Sequence, residues 1–162
     1  MDHGYRILGF VVIVILYAAI GLMAAAGAIF VARKFLPPKA EQIFYAMFLI
    51  VIAAFYLAFA AYFGAATAWR LETTAVAAFV VIGLLGTRLP SALIIGYSLH
   101  GLWDLLHELQ AHGAYSALEP GRLTMIPLAY GVFCAAFAVC IAAYCCTQRG
   151  EWIAAWKAVP RR

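Results

Sequence analysis

Apolar residues fill this 162-residue chain in long blocks, at 7–32, 42–69, 73–87, 91–112 and 123–146, separated by short polar or helix-breaking segments. A helix needs ~20 apolar residues to cross the hydrocarbon core of a bilayer. The pattern therefore predicts an all-α, polytopic transmembrane helix bundle of five spans, forming a single transmembrane domain over 1–162 with no soluble module. The first block exceeds the ~7–15 apolar residues of a signal-peptide core, so it is expected to be a retained span. Arg33, Lys34, Pro37, Pro38 and Lys39 make a basic, helix-breaking first loop. Arg70, Leu71 and Glu72 form a turn, and the short third block that follows is expected to thin the bilayer or draw on flanking residues. Thr87 to Pro90 break the chain again, with Pro90 suited to the first turn of the next helix. Gly113 is expected to stop the fourth span, and the loop 114–122 carries Glu119 and Pro120.

Within the blocks, the spacing of residues separates faces. Gly21, Ala24, Ala25, Ala26 and Gly27 give the first span a small-residue stretch of the kind that lets membrane helices approach closely. On the second, Phe44, Tyr45, Phe48, Phe55, Tyr56, Phe59, Tyr62 and Phe63 share an arc of roughly 120°. Ala46, Ala53, Ala60, Gly64 and Thr67 lie opposite. The small face is expected to pack on a neighbour, leaving the aromatic face toward lipid or a hydrophobic ligand. In the tail, Trp152, Ile153, Trp156 and Val159 cluster away from Glu151, Lys157 and Arg161, which predicts a C-terminal interfacial amphipathic helix over 147–162 anchored by tryptophan.

Composition agrees with a bilayer: 67% of residues are hydrophobic, 11% are charged, and the mean hydropathy is +0.97. The net charge of +4 is distributed unevenly. With five spans, Arg33, Lys34, Lys39, Arg88, Arg149, Lys157, Arg161 and Arg162 fall on one side, and Arg6, Arg70 and Arg122 on the other. This asymmetry predicts an N-terminus outside and a C-terminus in the cytoplasm, and the expected location is a bacterial inner (cytoplasmic) membrane. Membrane lipids and an apolar small molecule are the expected partners, and the small-residue faces leave room for a homo-oligomer. No basic run with interleaved aromatics suggests nucleic acid. Cys134, Cys140, Cys145 and Cys146 all lie in the last block without a C-x-x-C pair, which disfavours a disulfide framework and thiol oxidoreductase chemistry.

The chemistry concentrates in the fourth block. At ~100° per residue, Tyr97, His100, Asp104, His107 and Glu108 share an arc of roughly 100° on one helix face. Ionisable groups inside a span are costly and face a bundle interior or watery cavity. Counting ~1.5 Å per residue from an outer end at His112, this face runs to His100 near the membrane midplane. Tyr130, Cys134, Tyr56 and Tyr62 fall at similar depths on neighbouring spans. Glu41 and Arg88 are expected only at the inner mouth, leaving the inner half without a matching ionisable group. Three chemistries fit. His100, Asp104 and His107 suit a metal such as zinc, iron or manganese, with Glu108 as a further ligand or base and His3, Glu72 or Glu119 completing the coordination. Alternatively, Asp104, His107 and Glu108 act without metal as catalytic acid and base groups. In the third case the same groups carry protons or a metal ion across the membrane. A buried His–Asp pair also serves simply as a tie between helices. Retinal is not expected because Lys34, Lys39 and Lys157 sit at span boundaries. Haem is not expected because His100, His107 and His112 share one helix.

The nine residues His-Gly-Leu-Trp-Asp-Leu-Leu-His-Glu, 100–108, resemble an H-G-x-W-D-x-x-H-[E/H] signature of small uncharacterised bacterial integral membrane proteins. The resemblance implies that His100, Gly101, Trp103, Asp104 and His107 act as a unit, with Glu108 as a metal ligand or proton acceptor. By analogy, a sterol-isomerase-like five-helix bundle also sets His and Glu in a lipid-accessible cavity. The leading expectation is a metal- or acid/base-dependent enzyme for an apolar or lipid-like substrate. A proton- or metal-ion-coupled transporter is the alternative, and a structural or partner-binding subunit the third reading.

Overall fold

The computed structural model describes residues 2–111 and 122–158, and among them it is built from helices and their connections. The helices are α1 (Asp2–Phe35), α2 (Pro38–Tyr62), α3 (Trp69–Gly86), α4 (Pro90–Ala111) and α5 (Tyr130–Lys157). Four of them, α1, α2, α3 and α5, are long and apolar enough to cross a membrane. The fourth, α4, is not among these, because its inward face carries His100, Asp104, His107 and Glu108. His112, Gly113, Glu119, Pro120, Val159, Arg161 and Arg162 lie outside the described residues, as does the side chain of His3.

Element boundaries follow local backbone chemistry, and three differ from those that hydropathy predicts. The second apolar block is divided. Helix α2 ends at Tyr62 because Gly64 takes a left-handed conformation (φ 65°), with Ala65 N–H bonded to Ala60 O at 3.0 Å and Gly64 N–H to Ala61 O at 3.4 Å. This paired closure around a left-handed glycine is the Schellman stop. Arg70, Leu71 and Glu72 are therefore the first turn of α3 rather than a turn between spans, and α3 reaches 18 residues. At the fifth block, Pro127 disfavours helix in the residue before it. Residues 122–129 run as irregular chain, and α5 begins only at Tyr130, after Ala129 in a left-handed conformation (φ 57°). The third difference is the tail. No separate interfacial helix forms over the described part of 147–162, since α5 continues unbroken to Lys157 and buries Trp152 completely.

The helices alternate in direction. Gly21 of α1 lies against Phe133 near the start of α5, while Arg33 near the end of α1 reaches Gln148 and Glu151 near the end of α5, so these two run parallel. One end of the bundle gathers Arg33, Glu41, Gln42, Gly86 and Trp152; the other gathers Glu72, His107 and Thr124. The small face of α2 packs inward as expected, with Ala46, Ala53 and Ala60 buried. Its aromatic face divides: Tyr45 and Tyr56 are buried, while Phe48, Phe55 and Phe59 line a cavity of about 650 Å³ bordered by α1 and α5.

Close approach of α4 and α5 depends on Gly131. A methyl group there would meet Asp104 O at 2.5 Å and Glu108 Cβ at 2.8 Å. Gly131→Ala is accordingly expected to destabilise the bundle by about 1–3 kcal/mol through overpacking. A lowered thermal midpoint in detergent checks this, and an unchanged midpoint would contradict the tight α4–α5 contact.

Candidate functional site

The polar face of α4 turns wholly inward: His100, Asp104 and His107 are at most 1% exposed and Glu108 5%. Asp104, His107 and Glu108 each find a partner on another element, and His100 pairs with Asp104 within α4. The Asp104 carboxylate takes the Tyr56 hydroxyl of α2 on Oδ1 and His100 Nδ1 on Oδ2, the latter at 2.9 Å. His107 Nε2 stands 2.9 Å from Glu72 Oε1 at the start of α3, and the same oxygen accepts the Thr124 N–H at 2.8 Å. Glu108 Oε2 accepts the Gly131 N–H at 3.0 Å, near the first turn of α5 where backbone donors lack helical partners. These bonds join α2, α3 and α5 to α4, and the 122–129 segment to α3.

Donor and acceptor rules constrain the proton positions in this cluster. His107 Nδ1 lies 2.9 Å from the Trp103 carbonyl, which only accepts, so Nδ1 carries hydrogen. The contact between His107 Nε2 and Glu72 Oε1 then holds one shared proton, which resides on either the imidazole or the carboxyl. With Asp104 as the carboxylate, His100 Nδ1 donates to it, which in the neutral imidazole leaves Nε2 with its lone pair. That Nε2 is buried and unpartnered, as are Glu72 Oε2 and Trp103 Nε1. Phe79 covers the His100 ring at 5.2 Å between centroids, and Tyr56 lies over His107 at 4.3 Å.

The residues read from sequence as one site come together, but in two pairs. His107 points both ring nitrogens away from Asp104, one to Trp103 and one to Glu72, so His100, Asp104 and His107 do not converge on one point. Among the described residues no group of three or more His, Cys, Asp or Glu side chains is arranged to hold a metal ion. A zinc, iron or manganese ion bound by that trio would require His107 to leave Glu72 or Trp103. Of the suggested additional groups, Glu72 is integral to the site. Tyr56 is also confirmed beside Asp104, whereas Tyr62 is 83% exposed. Tyr130 and Cys134 line the apolar cavity instead, with Tyr130 edge-on to Phe59 at 5.0 Å between centroids. Phe59 in turn packs on Tyr56, so the cavity wall backs directly on the residue that holds Asp104. A cleft of about 390 Å³ at the other side reaches Glu108 and Thr124.

The opposite end holds a buried carboxylate that hydropathy alone does not reveal. Glu41 is 1% exposed rather than at an open mouth, and it accepts the Tyr144 hydroxyl and, at 3.1 Å, Trp152 Nε1. Arg33 lies 3.9 Å from it and 2.8 Å from Glu151. The sequence signal was present in the tryptophan-bearing face of the tail, whose indole N–H groups need partners when buried. Comparison of the chain with protein-family models, curated proteins and solved structures finds no match. The site is therefore interpreted from its own geometry.

Removing the Glu72 carboxylate leaves the Thr124 N–H without its acceptor and His107 Nε2 without its partner. Glu72→Ala is expected to cost about 2–3 kcal/mol, as for a buried hydrogen-bonding group deprived of its partner. Chemical unfolding in detergent measures it, and a neutral result would show that Glu72 does not tie α3 to α4.

Proposed function

We propose that this protein is a multi-pass membrane enzyme that performs acid–base chemistry on an apolar or lipid-like molecule. The observation that carries the reading is His100: Asp104 fixes its Nδ1, Tyr56 fixes Asp104, and Nε2 remains buried with no partner. A carboxylate that orients an imidazole and leaves the far nitrogen open is the arrangement a general base requires. Most buried polar atoms in folded proteins are satisfied, so an open one at the heart of a tied cluster invites a functional explanation. The aromatic cavity beside Tyr56 is the entry for the substrate's apolar body, and the cleft at Glu108 is the path for water or protons. His107 and Glu72, sharing one proton, serve as the second acid–base pair. This scheme uses Asp104, His107 and Glu108 without a metal, because both nitrogens of His107 are already engaged. In this reading all five helices cross the membrane of a bacterial cell, with the basic end cytoplasmic and the N-terminus outside.

A second reading, proton-coupled transport, is favoured by one specific observation: Glu41 supplies a buried carboxyl at the end opposite Glu72. Both readings use titratable groups, and isotopes separate them. Protein in lipid nanodiscs is incubated with a bacterial membrane-lipid extract in D₂O or H₂¹⁸O, and products are analysed by mass spectrometry. Label is expected to enter a lipid-like product, with the rate falling about 100-fold or more in His100→Gln and Asp104→Asn. Folded protein that incorporates no label would contradict the enzyme reading. Proton flux into sealed proteoliposomes that is lost in both Glu41→Gln and His107→Gln would establish the transport reading in its place.

A further inference from the structure

At the basic end, away from the acid–base cluster, a cavity of about 350 Å³ is lined by Arg88, Ser91, Arg149, Ile153, Trp156 and Lys157. Its floor is the Trp156 indole, whose Nε1 donates to Gln42 Oε1 at 2.9 Å while Gln42 Nε2 donates to Gly86 O at 2.7 Å. The ring is thereby tied to α2 and α3. The Arg88 guanidinium lies over it at 3.9 Å from the centroid, and Lys39 Nζ at 5.1 Å. Cations stack favourably on tryptophan, so the indole gathers Lys39 and Arg88 beside Arg149 and Lys157.

These four cations have no carboxylate partner within ion-pair distance among the described residues. The two described carboxylates at this end, Glu41 and Glu151, are both approached by Arg33, and Glu41 also takes Tyr144 and Trp152. Like charges held together without a partner repel one another, and an anion from outside relieves the repulsion. The N-terminus of α4, where Ser91 follows Pro90, adds the positive end of a helix dipole.

The surroundings say which anion. Leu84, Leu85 and Leu89, at the end of α3 and just after it, are all exposed, so an apolar surface adjoins the charged one. A soluble anion gains nothing from such a surface, whereas a lipid covers it with an acyl chain. We propose that this pocket binds the phosphate of an anionic phospholipid, with Arg88, Arg149 and Lys157 on its oxygens and Ser91 as a neutral donor. Basic pockets at the ends of membrane helices suit such headgroups, and each cation near the surface strengthens attachment. The site is independent of the acid–base reading.

Native mass spectrometry of the full chain, released from nanodiscs of mixed phosphatidylglycerol and phosphatidylcholine, tests it. Phosphatidylglycerol is expected to be retained in preference. Retention is expected to weaken about fivefold for each cation removed in Arg149→Gln/Lys157→Gln, whose two side chains are exposed and support no packing. Arg88→Gln is expected to weaken it further, with loss of the stack on Trp156. Equal retention of both lipids, or undiminished phosphatidylglycerol on the double variant, would overturn the proposal. Displacement of the lipid by millimolar inorganic phosphate would also overturn it, by identifying a site for soluble phosphate.

Discussion

The fold depends on satisfying four ionisable side chains that one helix carries into an apolar interior. Burying a carboxyl or imidazole without a hydrogen bond costs several kcal/mol, and lipid supplies no partner. Helix α4 brings in His100, Asp104, His107 and Glu108, and the partners come from every direction: Tyr56 on α2, Glu72 on α3, and the Gly131 N–H on α5. The irregular 122–129 segment also reaches this cluster, through the bond from Thr124 to Glu72. Each bond fixes the rotation and axial position of another element against α4. The least apolar helix is thus the one around which the others are registered, and the small residues Gly131, Ala46 and Ala53 let the backbones come near enough for the bonds to form.

The two ends of the bundle treat buried charge differently, and the difference separates structure from chemistry. Glu41 receives a hydroxyl, an indole N–H and a nearby guanidinium, all from groups that hold α1, α2 and α5 together. A fully connected network of this kind rigidifies the fold. The α4 cluster is only partly satisfied, with His100 Nε2, Glu72 Oε2 and Trp103 Nε1 open in the interior. The Tyr45 hydroxyl at the Glu41 end is open as well, and the acid–base reading rests on the α4 end because the open His100 and Glu72 atoms there belong to titratable groups.

Much of this was legible in the sequence. The approximate positions of the helices follow from hydropathy, and the His/Asp/Glu face of α4 follows from 100° periodicity, because a largely apolar segment makes each polar residue conspicuous. The limits of the helices were less accessible. The Schellman stop at Gly64 and the delay of α5 past Pro127 depend on backbone conformation inside continuous apolar blocks, where hydropathy does not change. Partner identity was the other gap. Glu72 sits in what composition reads as a turn, and Glu41 at what it reads as a loop edge, yet both are buried because neighbouring helix ends close over them. The tail's tryptophans were correctly assigned to one helical side, but that side faces the bundle, since Glu41 and Gln42 offer acceptors that a lipid interface would not place so well.

The central claim is that Asp104 holds His100 in the tautomer that keeps Nε2 unprotonated. Solid-state ¹⁵N spectroscopy of histidine-labelled protein in lipid bilayers, assigned with a His100→Gln variant, observes this directly. The expected result is a protonated Nδ1 and an unprotonated Nε2 at His100, with the preference lost in Asp104→Asn. A His100 ring protonated at Nε2, or one whose tautomer is indifferent to Asp104, would contradict the account.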